Sequence, residues 1–435
     1  MTVFSGDTLS KREISLYVHV PFCRKKCDYC DFFSLGRNCA SDFDALKQDY
    51  VRAVSKEVQF YAHHHTVSRW KTVYIGGGTP SQLSPEQIRS LMQGIFSAAP
   101  KSADAEVTIE VNPDDLTEEL VSACAASGIT RISMGVQAFD QKALNSVRRG
   151  ASAESALRAL DVLQKNWRGS LSCDLIAGLP NHTYASFENG IRMLSRFPCI
   201  DHISLYTLTV EDGTPLAKNI AAGKIRWSQE KADRMWIRGR NLLEKQGFFQ
   251  YEVSNFSRSG CQSRHNMTYW KLQDYIGCGA GASGTLYGKR LCAERQTKFV
   301  STETQTACSD VRAFCDAGIR WTNTNSVSAY NNFWLHYNPP ADASLPRVTE
   351  TLDAATQEFE FLMMGFRMLE GVGAAEYRSR FGGELSDRLG AKDGIFASWK
   401  KRGFARIEAV DKTDSRYALT RRGILLLNRF LEELL

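Results

Sequence analysis

The chain has 435 residues, 43% hydrophobic and 23% charged, a globular composition that excludes a disordered or fibrous protein. Its net charge of +6 is mild for the length and demands no nucleic acid, since a small anionic ligand suits it equally. No run approaches the ~18 apolar residues of a membrane span. The opening MTVFSGDTLSKREISL lacks the apolar core of a secretory signal, so a cytoplasmic protein is expected.

From residue 16 to about 206, short aliphatic or β-branched runs alternate with longer amphipathic stretches. Strands are expected over 16–20, 72–75, 106–111, 131–134, 171–176 and 202–206, and helices over 42–62, 85–98, 117–126, 152–164 and 184–195. Such alternation means parallel strands with helical crossovers. Six units are too few for a closed eight-fold barrel and predict an open partial (β/α)6 barrel, with ligands at the C-terminal ends of the strands. A helix over 228–245 and a strand-like QYEVSNF follow. Residues 258–295 are rich in Gly, Ser and Cys, and residues 320–347, rich in Asn, Ser and Pro, read as a linker or long loop. From about Thr351 a separate module is expected: helices over 358–369 and 385–400, a hairpin over 405–409 and 417–419, and a last helix to Leu435. That order resembles a winged-helix-like α+β module.

Cys23, Cys27 and Cys30 follow the first strand directly, in C-x3-C-x2-C spacing. Three thiolates hold three irons of a [4Fe–4S] cluster and leave the fourth open to a small molecule. The rival is zinc with His19 as fourth ligand, but structural zinc usually takes two separated pairs. The other cysteines (Cys39, Cys124, Cys173, Cys199, Cys261, Cys278, Cys292, Cys308 and Cys315) are expected mostly as small buried hydrophobes in a reducing compartment.

Gly76, Gly77, Gly78, Thr79 and Pro80 end the second strand. Glycines there let backbone amides approach a ligand, or simply make a tight turn. No Gly-Lys-Ser/Thr follows, so this is not a P-loop. Glu110 ends the third strand, Gln137 ends the fourth, and Arg149 lies in the turn beyond it. Asp174 lies inside an apolar run, where a carboxylate is costly unless paired. His265, Tyr269 and Trp270 would grip a flat ligand or form a packed loop. His63, His64 and His65 read as an incidental polar run at a helix end. The basic Lys400, Lys401, Arg402, Arg421 and Arg422 read as a solvated face, because no strongly basic recognition helix accompanies them.

In this order, LYVHVPFCRKKCDYCDFF, GGGTP, EVNP, ISMGVQAF, DLIAGLP and RHNMTYW resemble the radical S-adenosylmethionine (SAM) enzymes, and more narrowly their HemN/HemW group. The closing LTRRGILLLNRFLEELL resembles that group's C-terminal helix. The resemblance implies a radical SAM core over 1–228, a linking and haem-motif region over 229–350, and a HemN-like module over 351–435. It implies that Cys23, Cys27 and Cys30 ligate the cluster and that SAM chelates the open iron. Tyr17, Tyr29, Gly77, Gly78 and Thr79 would line the SAM site, and Glu110, Gln137, Arg149 and Asp174 would contact its methionine or ribose parts. Phe32 stands where the decarboxylating oxidases carry another cysteine, and only 22 residues precede Cys23. The resemblance therefore points to the HemW type, a haem chaperone, with His265 serving haem together with Tyr269 and Trp270. The enzyme alternatives are an oxygen-independent coproporphyrinogen III oxidase of porphyrin biosynthesis and a haem-directed radical SAM methyltransferase. A fourth reading is an Fe–S protein whose C-terminal module binds macromolecules. The partners implied are haem, a haem-accepting protein and an electron donor such as flavodoxin or ferredoxin, with no nucleic acid. The pattern departs at Ala151 and Ser283, where HemW-like chains usually carry histidine.

Overall fold

In chain order the first strands are β1 (Arg12–Val20), the two-residue β2 (Phe22–Cys23) and β3 (Leu35–Gly36), β4 (Val67–Gly77), β5 (Lys101–Val111), β6 (Arg131–Gln137), β7 (Ser170–Ala177) and β8 (His202–Thr207). They belong to a computed structural model that describes residues 12–37, 42–288, 317–337, 345–390, 394–411 and 414–434. Cys39, Cys292, Cys308 and Cys315 fall outside the described residues. β1 and β4 to β8 are the six expected runs, and they pair in parallel in sequence order.

The crossovers are α1 (Phe43–His64), α2 (Pro85–Ala98), α3 (Glu118–Ala126), α4 (Gln141–Ser146) with α5 (Ala153–Asn166), and α6 (Tyr184–Leu194). Each begins where a polar side chain accepts from the first-turn amides: Asp42, Ser84, Thr117, Asp140, Ser152 and Thr183 in turn. Such caps contribute about 1 kcal/mol each and fix where each helix starts. Leu16, Val18, Val73, Ile75, Ile109 and Ile132 are buried between sheet and helices. Burying each contributes roughly 1.5–3 kcal/mol.

The sheet runs further than six strands. β9 (Phe249–Gln250) and β10 (Asn255–Ser257) extend it antiparallel beyond β8. QYEVSNF is thus two short strands joined by a turn, not one. On the other edge β11 (Tyr275–Cys278) joins β1 in parallel, and β12 (Ser283–Leu286), β13 (Gly318–Asn323) and β14 (Arg347–Leu352) follow antiparallel. The result is a twelve-stranded open sheet. Residues 320–347 are therefore no mere linker: the end of β13 and a helix at Val327–His336 lie within them, and β14 begins at Arg347. Trp321, Tyr330 and Trp334 anchor this polar segment in the core, while Asn323 and Ser326 make a buried hydrogen bond and a helix cap.

The C-terminal module has its own apolar cluster around Phe366, Trp399 and Phe430. Its sheet orders β15 (Val372–Gly373), β17 (Ser415–Leu419) and β16 (Ala405–Ala409) antiparallel. The first helix is Ala354–Gly365, starting earlier than expected because Asp353 caps it. The expected helix over 385–400 splits into Leu385–Arg388 and Ile395–Lys401. Gly390 lies at φ +83°, and a Cβ there would meet Gly394 Cα at 2.6 Å, so the two glycines that flank the break approach each other closely. A bridge between Glu252 and Met368 ties the module to the barrel. No described helix is long and apolar enough to cross a membrane.

Candidate functional site

The cysteine loop leaves the end of β1 and is held on several sides. Phe22 and Cys23 pair with Leu35 and Gly36, which closes the loop. Cys30 N bonds Cys27 O at 3.2 Å, making a tight turn between the last two cysteines. Asp28 N donates to Val147 O at 3.0 Å, Leu216 N donates to Asp28 O at 2.9 Å, and Arg148 Nε donates to the Asp28 carboxylate at 2.6 Å. Cys23 and Cys27 are buried, while Cys30 is half-buried. The Cys23 thiol and Thr79 Oγ1 lie 3.4 Å apart, and Arg149 Nη1 donates to Cys27 Sγ at 3.5 Å. Burial pushes the Cys23 and Cys30 thiols up, opposed by hydrogen bonds from Thr79 and from the Phe32 backbone respectively. Metal binding there must therefore displace protons.

The glycine run shows why it must be glycine. Gly77 lies at φ +112°, and a Cβ there would meet the His19 ring at 2.6 Å. A Cβ on Gly78 would meet Pro21 C at 2.8 Å. The run turns tightly and presses against the cysteine loop, so the turn and ligand readings share one geometry.

Beside the loop, at the C-terminal strand ends, lies a chamber of about 370 Å³. Tyr29, Cys30, Gly77, Gly78, Thr79, Glu110, Gln137, Arg149 and Asp174 all line it. Glu110 accepts from Tyr74 Oη at 2.7 Å and from Gly77 N at 3.1 Å. Burial pushes its pKa up to about 7; the Tyr74 bond opposes this and the Asp174 charge adds to it. Asp174 accepts from Ser133 Oγ at 3.2 Å, the pairing its apolar run requires, and burial raises its pKa as well. Gln137 lies at φ +66°, and the β6–β7 register shifts between Gly135 and Gln137. A non-glycine residue there costs roughly 1–2 kcal/mol, a local strain typical of functional sites. Arg149 Nη2 donates to Gly135 O at 2.8 Å and to Asn112 Oδ1, which joins two strand ends to Cys27. Its buried Nε has no partner.

Two expected residues, and the His19 of the zinc alternative, lie elsewhere. Tyr17 does not line the chamber: its Oη meets His19 Nδ1 at 2.9 Å, and its ring stacks on Tyr74. His19 is spent on support, since its Nε2 meets Phe33 O at 3.0 Å. With both nitrogens engaged it is no zinc ligand. His265 is fully buried in the short helix Arg264–Trp270, with Nδ1 at 2.7 Å from Thr72 Oγ1 and Nε2 at 2.8 Å from Tyr269 Oη. Its ring stacks on Tyr74 at 5.1 Å, and burial lowers its pKa to about 3, so it stays neutral. Ala151 is buried, and Ser283 Oγ bonds Thr322 Oγ1 at 2.8 Å.

A family model described as "Radical SAM superfamily" matches residues 17–194, and one described as "HemN C-terminal domain" matches residues 352–426. "Heme chaperone HemW" of Bacillus subtilis is 30% identical over 419 residues, 95% of this chain and 97% of that protein. The chain belongs to the HemN/HemW family of radical SAM proteins. "Radical S-adenosyl methionine domain-containing protein 1, mitochondrial" of Bos taurus is 39% identical over 272 residues, covering 62% of this chain but only 60% of the bovine protein. The solved coproporphyrinogen III oxidase HemN of Escherichia coli shares the fold, with a TM-score of 0.74 at 20% identity over 98% of this chain and 90% of that one.

In this HemN/HemW-family chain the donor set suits a sulfur-ligated cluster: three thiols on one loop, with a buried guanidinium and a hydroxyl against two of them. Among the described residues no group of three or more His, Cys, Asp and Glu side chains would hold a single metal ion. A four-iron cluster does not ask for that convergence, because each thiolate takes its own iron. Sequence reasoning missed Ser133, Tyr206 and Glu211, which also line the chamber. Only the alternation along β6 and β8 would have pointed to the first two.

Proposed function

We propose that this HemN/HemW-family protein carries a [4Fe–4S] cluster on Cys23, Cys27 and Cys30, binds SAM in the adjoining chamber, and binds haem for transfer to an acceptor protein. One observation supports the cofactor part: a single chamber brings together Cys30, the Gly77–Thr79 turn, Glu110, Gln137, Arg149 and Asp174 from six separate strands and loops. A reduced cluster bound there supplies the electron that splits SAM into methionine and a 5′-deoxyadenosyl radical. The chain's residues bind and orient. SAM carries a sulfonium and an ammonium against one carboxylate, and the lining offers Asp31, Glu110, Asp174 and Glu211 against one guanidinium, Arg149. That balance favours a cation and leaves Arg149 for the carboxylate end.

The haem-transfer part rests on the whole-length relative described as a haem chaperone and on Phe32 in place of a further cysteine. A second reading, a coproporphyrinogen III oxidase-like enzyme, is favoured by the whole-chain fold likeness to the Escherichia coli oxidase and by His265, whose two nitrogens are already engaged. The same acidic lining repels a tetracarboxylate from the inner chamber, so such a substrate would meet the radical at its mouth. The deciding experiment is an anaerobic haem titration of the cluster-reconstituted protein, followed by Soret absorption, beside a product assay with coproporphyrinogen, SAM and reductant. Saturable one-to-one haem binding without a vinyl product supports the chaperone. A vinyl product with release of CO2 overturns it in favour of the enzyme.

A further inference from the structure

The inward face of the barrel behind the chamber is polar. β5 to β8 turn Thr108, Ser133, Ser172 and Ser204 inward, while Val107, Ile132, Cys173 and Ile203 beside them pack outward in the apolar core. Interiors of parallel barrels are more often filled by branched apolar side chains. Here a cavity of about 40 Å³ remains, and every residue that lines it carries a polar side chain. Two buried atoms of that lining have no partner among the described residues: Thr108 Oγ1 and Arg131 Nη2. Thr108 is 1% and Arg131 3% exposed, so bulk solvent does not satisfy them. The other terminal nitrogen of Arg131, Nη1, donates to Cys261 O at 3.3 Å. Glu110, Ser133, Asp174 and Tyr206 line both this cavity and the chamber, and so form the wall between the two.

We infer that this cavity is a built water site, in which about one to three ordered waters bond Thr108 Oγ1 and Arg131 Nη2 and hydrate Glu110 and Asp174 from the side away from the chamber. The chemistry of the lining selects the ligand. Arg131 Nη2 needs an acceptor, which excludes a metal cation. Two carboxylates on the wall repel an anion. The volume is too small for an organic molecule. Water both donates and accepts, so it satisfies an orphaned hydroxyl and an orphaned guanidinium nitrogen together. Left dry, each would cost its full desolvation. The role at the chamber rests on the SAM reading above; the hydration itself does not. When SAM covers the front of Glu110 and Asp174, water behind them offsets the solvent they lose. Thr108 does not line the chamber and acts on it through that water, as a positioning residue.

Two variants of the full chain test this. Thr108→Val keeps the volume and removes the hydroxyl, whereas Thr108→Ser keeps the hydroxyl. Wild-type crystals that diffract well enough to order solvent should show water within about 3.2 Å of Thr108 Oγ1 and Arg131 Nη2, and Thr108→Val should lose the water nearest the substitution. Thermal unfolding gives an independent sign. With water on the hydroxyl, Thr108→Val loses a hydrogen bond and its midpoint falls by about 1 °C or more; were the hydroxyl orphaned, removing it would raise the midpoint. Anaerobic calorimetry of the cluster-reconstituted proteins should show SAM held about fivefold more weakly by Thr108→Val, the worth of one hydrogen bond, and within about twofold of the wild type by Thr108→Ser. A dry cavity, or a midpoint that rises in Thr108→Val, overturns the water site. Water in place with equal SAM affinity in all three proteins overturns the positioning role. A wild type that holds its cluster but binds no SAM removes the SAM reading, while diffraction and the unfolding midpoints still decide the water site.

Discussion

Replacing Glu110 with Gln isolates the charge that the chamber offers to SAM. The amide keeps an acceptor for Tyr74 Oη but carries no charge and turns a donor toward Gly77 N, where the carboxylate accepted at 3.1 Å. Burial holds the wild-type carboxyl at about 7, so it is ionised above that pH and protonated below it. If cationic SAM needs the ionised form, its apparent dissociation constant carries the factor 1 + 10^(pKa − pH). Binding is then about tenfold weaker near pH 6 than near pH 8. Glu110→Gln should bind SAM about tenfold more weakly near pH 8 and lose most of that step. The SAM amino group titrates in a neighbouring range, and Asp174 also has a raised pKa, so the readout is the difference between the two proteins. Anaerobic calorimetry of the reconstituted proteins near pH 6, 7 and 8 measures it. A variant that keeps both the wild-type affinity near pH 8 and the full step refutes the argument.

Cys27→Ala should abolish the iron chromophore after reconstitution; a retained four-iron spectrum would sink the cluster assignment. Glu57 is fully buried and accepts from Gly279 N and Asn323 Nδ2, both at 2.7 Å, and from Tyr330 Oη. Burial raises its pKa to about 7 against those hydrogen bonds. Glu57→Gln should cost about 1–3 kcal/mol below about pH 4.5, by chemical denaturation, where the native carboxyl is protonated, and less above about pH 7. Because the folded value exceeds that of an unfolded carboxyl, the stability tied to Glu57 is full below about pH 4.5 and declines as pH rises to about 7. Denaturation midpoints that rise over that window for the wild type relative to Glu57→Gln would contradict the assignment. His265→Ala should destabilise the fold by about 2–4 kcal/mol. By freeing Tyr74, it should weaken SAM binding more than haem binding, and the opposite order in paired titrations would return His265 to the role of haem ligand.

The barrel was legible because its strands are short apolar runs between amphipathic helices with capping residues, so pattern and structure share one period. The cysteine loop, the glycine turn, Glu110, Gln137 and Arg149 were legible because each follows or ends a strand, and parallel strands bring those ends to one side; Asp174 was legible as a carboxylate inside an apolar strand. Tyr17 and His265 lie off the chamber for a related reason. A motif in the chain gives no depth along the barrel, and His265 meets Thr72, five residues before Gly77 on β4. Strands β11 to β14 were missed because their pairing is non-local: Ser15 lies opposite Tyr275, and β13 hides in a polar segment. The left-handed backbone at Gln137 has no composition signal at all, since glycine is absent where the geometry would favour it.

β1, the first described strand, ends in the interior of the sheet, flanked by β4 on one edge and β11 on the other. The first neighbour is complete by Gly77, but the second arrives only at Tyr275–Cys278. At ribosomal speeds of about 5–20 residues per second, one edge of the strand that leads into the cysteine loop stays unpaired for about 10–40 s. The nascent chain thus exposes a β edge beside three reactive thiols before its barrel can be finished, an interval open to oxidation and to mispairing with other chains. Iron delivery to this protein is accordingly best matched to released, fully folded chains rather than to the ribosome-bound chain.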